Sequence, residues 1–67
     1  MPHPDVARDL NSLGLAWYRL GEYRKAIDYF TQALAMLEAT LPNDHPSIQI
    51  VRANLRQAQK AQAAATK

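Results

Sequence analysis

Apolar side chains recur at Val6, Leu10, Leu13, Trp17 and Leu20, in steps of four, three, four and three. That spacing places them on one face of an amphipathic α-helix, with polar residues on the other side. Pro4 suits the first helical position, where a missing N–H costs nothing. His3, standing before a proline, is steered away from the α region and into N-cap geometry. Gly21 marks the far end, because it accepts the left-handed conformation that helix C-termini favour. The pattern predicts a first helix over Pro4–Leu20, with the five apolar residues as its inward face.

A second stripe follows at once. Ala26, Phe30, Ala33, Leu34, Leu37 and Leu41 share a face, opposite Arg24, Lys25, Asp28, Gln32 and Glu38. These predict a helix over Glu22–Leu41. Leu41-Pro42-Asn43-Asp44-His45-Pro46 is dense in helix breakers and reads as a turn. The third helix, expected over Pro46–Ala64, carries Ile48, Val51, Leu55 and Ala58 on its apolar stripe, widened by Ile50. Beyond Ala58 the chain is rich in Ala and Gln, which favour helix but bury little, so its last turns should fray. Joints this short make neighbouring helices antiparallel.

The chain also repeats itself. His3-Pro4-Asp5-Val6 returns as His45-Pro46-Ser47-Ile48, 42 residues later, and Asn11-Ser12-Leu13 is matched by Ala53-Asn54-Leu55 at the same offset. Periods of this size belong to solenoids, whose units bury their faces against neighbours. The second copy stops after its first helix. The expectation is one domain over 1–67, with a repeat over about 3–44 and a half repeat, or capping helix, over about 45–65.

Composition narrows the picture. A chain of 67 residues has room for one small domain, burying only about 60% of its unfolded surface. Alanine supplies 12 of its residues, whereas Val and Ile together supply five, which disfavours a β sandwich or barrel. With no cysteine there is no disulfide framework and no thiolate metal site. That fits a reducing setting, and the expected localisation is cytoplasmic. Met1-Pro2-His3-Pro4 lacks the features of a signal sequence, and no apolar run is long enough to span a bilayer. A net charge of +2 is too small for a nucleic-acid or membrane footprint.

Leu10-x2-Leu13-Gly14-x2-Trp17 followed by Ala26-x3-Phe30 resembles the tetratricopeptide repeat, whose pattern is W-x2-L-G-x2-Y and then A-x3-F. Gly21 and Tyr23 stand where that family turns between its helices. Gly14, Ala26 and Ala33 stand where its two helices approach most closely. Two features depart from the usual pattern. Glu38 occupies the place of the helix-ending proline, which comes a turn later as Pro42. The period of 42 exceeds the usual span of about 34. Longer helices and the Asp-His-Pro joint are similar to the kinesin-light-chain-like variety of the repeat. The resemblance covers Asp5 to about Leu41 as a full unit and Pro46–Ala58 as half of another. It implies an all-α superhelix fragment that holds proteins and does no chemistry.

The candidate sites point the same way. His3 and His45 occupy equivalent joints, and capping explains them better than zinc binding, because only Asp5 and Asp44 lie near them in sequence. Asp28 and Glu38 lie ten residues apart on a polar face, with Glu22 before them; nothing apolar is there to raise a pKa for acid–base work. Ser12, Thr31 and Thr40 have no positioned base, and Gly14 and Gly21 form no phosphate loop. Arg52, Arg56 and Lys60 step along the third helix and could meet phosphates, but without interleaved aromatics they read as a solvated face, or as one for an acidic protein.

Arg8, Asn11, Leu15, Tyr18 and Arg19 share the other face of the first helix. By the resemblance, that face lines a concave groove for peptides. Leu15 and Tyr18 are expected outside the core and hence available to a partner. Ile48, Ile50, Val51 and Leu55 are expected to face water in part on the outer side of the third helix. They are the candidate surface for a homodimer or larger homo-oligomer, formed by stacking or by exchanging a helix through the Leu41–Pro46 joint. The expected function is therefore a non-catalytic protein-interaction or scaffold module with protein or peptide partners, no cofactor, no metal and no membrane. The alternatives are a purely structural or engineered self-assembling repeat unit and, behind that, nucleic-acid binding through the third helix.

Overall fold

A computed structural model describes residues 4–65. Three helices run in chain order: α1 over Pro4–Arg19, α2 over Tyr23–Thr40 and α3 over Pro46–Ala65. No strand occurs among the described residues. The fold is the expected all-α hairpin with a third helix laid against it. α3 packs mainly on α2, and only marginally on α1.

Local chemistry explains each joint. α1 ends where Gly21 takes φ +82°. The Gly21 N–H donates to the Tyr18 carbonyl at 3.0 Å, and the Glu22 N–H donates to the Trp17 carbonyl at 2.9 Å. This is the paired closure of a Schellman motif, which satisfies carbonyls that a helix end would otherwise leave bare. Tyr18 and Tyr23 flank the turn with ring centroids 5.3 Å apart. At the second joint the His45 N–H donates to the Pro42 carbonyl at 3.0 Å, closing a turn. His45 then caps α3, its Nδ1 accepting from the Ser47 N–H at 3.1 Å. The equivalent role expected of His3 lies outside the described residues.

The core is small. Ala26, Phe30, Ala33 and Leu37 of α2 are buried as their spacing predicts, together with Ile48, Val51 and Ala58 of α3. From α1 the fully buried residues are Ala7 and Gly14. This corrects the expected inward face: Val6 and Leu13 are each 45% exposed and Leu20 is 71% exposed. Leu10 and Trp17 are only half-buried. The face that α1 turns inward is Ala7, Asn11, Gly14 and Tyr18, also in steps of four, three and four. The reason is helix proximity. A Cβ on Gly14 would lie 2.6 Å from Phe30 Cε1, so the Phe30 ring occupies the space a side chain there would need. Small residues let the two helices approach until the ring is enclosed. The large residues are left along a flank.

Candidate functional site

The first half of α1, the end of α2 and the start of α3 enclose a cleft of about 330 Å³. Ala7, Leu37, Leu41 and Val51 supply its apolar floor; Arg8, Asn11, His45 and Ser47 supply polar groups, and Ile50 closes one side. Asn11 and Asn54 bridge α1 to α3, the Asn54 Nδ2 donating to Asn11 Oδ1 at 3.1 Å. That amide pair holds the two cleft-forming helices together where they otherwise barely touch.

Of the residues expected on the partner face of α1, Arg8 and Asn11 line this cleft. Leu15 and Tyr18 continue the same side of the helix, and Arg19 is exposed beyond them. The structure corrects one expectation here. Leu15 and Tyr18 are half-buried and pack against the core. They lie between the inward face and the solvent, so packing claims part of each.

The expected outer surface of α3 also changes. Ile48 is completely buried and Val51 nearly so, because their stripe is the one that α3 turns into the core. Leu55 is half-buried against the same cluster. Only Ile50, 57% exposed, faces water, and it does so at the cleft. An exposed apolar surface does exist, but it lies on α1.

The basic stripe of α3 is divided. Arg52 Nη2 reaches Glu38 Oε2 of α2 at 3.4 Å, while Arg56 and Lys60 border a shallow depression with Ala53 and Gln57. Glu38 is thus an ion-pair partner, well separated along α2 from Asp28. Thr31 Oγ1 donates to the Ile27 carbonyl at 2.7 Å and Thr40 Oγ1 to the Met36 carbonyl at 3.0 Å, so both hydroxyls are turned onto their own helix. Among the described residues, no three His, Cys, Asp or Glu side chains converge in a way that could hold a metal ion. No helix there is long and apolar enough to cross a membrane.

A hairpin of two closely packed helices, a third helix in register and a groove between first helices define a helical-repeat protein. The family model for the tetratricopeptide repeat matches residues 6–47, and the chain belongs to that family. Repeats of this family generally mediate protein–protein interaction and are typically non-catalytic. No curated protein and no solved structure matches the chain.

Proposed function

We propose that the chain is a protein-interaction module, one repeat followed by the first helix of another, and that it takes a peptide segment of its partner in the cleft between α1 and α3. The observation that carries this reading is the cleft's composition: an apolar floor, an exposed Ile50 at the side and Arg8 at the rim. A volume of about 330 Å³ is at the lower end of ligand sites, enough for a side chain or two but not for a folded element. The matching ligand is an extended segment with an aliphatic or aromatic anchor and a carboxylate beside it for Arg8. Asn11 and His45 offer polar groups for its backbone. Leu15, Tyr18 and Arg19 extend the surface along α1.

Panning a random peptide library against the chain tests this. Enriched peptides should pair an apolar anchor with an acidic residue and lose at least about tenfold in affinity on Ile50→Glu or Arg8→Glu, a loss of about 1.4 kcal/mol or more. Both residues are exposed, so the variants should stay folded. Peptides that bind both variants as well as the parent would place recognition elsewhere and overturn the cleft reading.

A further inference from the structure

We propose that the bare flank of α1 binds a second copy of this chain, through antiparallel pairing of the two α1 helices centred on Leu13. Val6, Leu10, Leu13, Trp17 and Leu20 follow the alternating spacing of four and three that defines a coiled-coil seam. Three of the five are exposed by 45% or more, and by helix spacing the stripe lies across α1 from Arg8 and Asn11, which face α3. Lys25 fixes which side of α2 joins them, since its Nζ sits 4.3 Å from the Trp17 ring centroid. By helix spacing, Tyr29 and Met36 share that side of α2 with Lys25 and broaden the apolar surface.

The repeat shows what kind of surface this is. At the 42-residue offset, Val6 and Leu13 of the seam, and Ala16 beside it, correspond to Ile48, Leu55 and Ala58, which α3 packs into the core. Leu10, Trp17 and Leu20 correspond to the polar Arg52, Gln59 and Gln62, so the seam of α1 is the longer apolar surface. The flank of α1 is therefore built for a helix. A second copy cannot offer its α2 as α3's partner surface, because its own α3 already covers that side. What it does offer is the same seam, and the seam is self-complementary. Turned antiparallel about Leu13, Val6 meets Leu20 of the second copy, Leu10 meets Trp17, and Leu13 meets its counterpart. Asp9, beside the seam, falls near Ala16 of the second copy and so meets no like charge there. A symmetric contact of this kind closes on itself as a dimer. The cleft lies on the opposite flank and stays open.

Sedimentation of the full chain from micromolar to millimolar concentration, with circular dichroism as a check on folding, tests the proposal. A monomer–dimer equilibrium is expected, weakened at least about tenfold by Leu13→Glu or Leu20→Glu and unchanged by Ile50→Glu. The chain contains no cysteine, which makes crosslinking unambiguous. Leu13→Cys should oxidise to a covalent dimer. Val6→Cys mixed with Leu20→Cys should give the mixed dimer in preference to either homodimer. A monomer across the whole range, a dimer lost only with Ile50→Glu, or Val6→Cys pairing with itself would each overturn the proposal. So would a parent chain that stays monomeric and pairs its α1 flank only with another tetratricopeptide hairpin.

Discussion

The two flanks of the α1–α2 hairpin have unequal fates, although the repeat builds their docking helices from equivalent positions. On one flank α3 buries Ile48 and Ala58 and half-buries Leu55. On the other, Val6, Leu13 and Ala16, one period earlier, stand in water. The same three apolar positions are thus core in one copy and surface in the other. At these three positions, what distinguishes the copies is whether a second helix lies alongside, not hydrophobicity. In a repeat protein, burial is a property of the neighbour as much as of the residue.

The sharpest test of that difference is a matched pair of truncations. Ile48→Ala removes a fully buried side chain and should cost about 2–5 kcal/mol. A chain this small holds only on the order of 5 kcal/mol in total, so α3 should detach or the whole chain unfold. Val6→Ala, at the equivalent exposed position, should cost less than about 1 kcal/mol in dilute solution. Urea unfolding followed by circular dichroism measures both. Equal losses would mean that the α1 flank is covered after all.

Next in size is the close approach that turned α1 away from its large residues. Gly14→Ala gains about 1 kcal/mol in helix propensity. It also sets a methyl 2.6 Å from Cε1 of Phe30, a fully buried ring. Overpacking of this sort costs about 1–3 kcal/mol, so a net loss of up to about 2 kcal/mol is expected. Thermal melting would register it, at about 4–8 °C per kcal/mol for a domain of this size. A more stable Gly14→Ala would mean that the hairpin can open slightly without penalty.

That close approach also separates what could be read in the sequence from what could not. The three helices, both joints, the His45 cap and the repeat follow from spacing and turn chemistry, which act locally. The inward face of α1 does not. Two stripes run along that helix about a quarter turn apart, one of large residues from Val6 to Leu20 and one of small residues through Ala7 and Gly14. Counting hydrophobicity selects the first; enclosing Phe30 selects the second. The signal lay in Gly14, Ala26 and Ala33 as a matched set of small residues, which said where the helices touch. The same rotation made Leu15 and Tyr18 look freer than they are. On α3, where large residues do face inward, the stripe and the core agree. The cleft could not be read from spacing at all, because it depends on how α3 sits against α1.

The cap at His45 tests how firmly the covered flank is held. His45→Ala removes the acceptor of the Ser47 N–H and should cost about 0.5–2 kcal/mol, with much of it restored by His45→Asn, which supplies another good cap. Amide exchange should quicken first in the opening turn of α3, before α1 or α2 responds. Uniform acceleration throughout the chain would instead show that α3 and the hairpin unfold as one unit.

The smallest effect concerns a place within the apolar seam of α1 where the two docking helices differ in chemistry across the same offset. α3 carries Arg52 where α1 carries Leu10. Arg52 spans to Glu38 at 3.4 Å, with both side chains more than 40% exposed. An exposed ion pair of this length contributes roughly 0.2–1 kcal/mol and weakens as salt rises, because water competes for both charges. Arg52→Leu gives α3 the residue that α1 has, and adds apolar area against α2. It also frees Glu38, but that carboxylate stays solvated and pays little for losing its partner. The two changes nearly cancel, so stability should move by less than about 0.5 kcal/mol at physiological salt. Urea titrations at low and high salt provide the measurement. The parent should lose a few tenths of a kcal/mol between them and Arg52→Leu should not. A loss above about 2 kcal/mol in the variant would show that the ion pair, and not the buried stripe of Ile48 and Val51, anchors α3 to the hairpin.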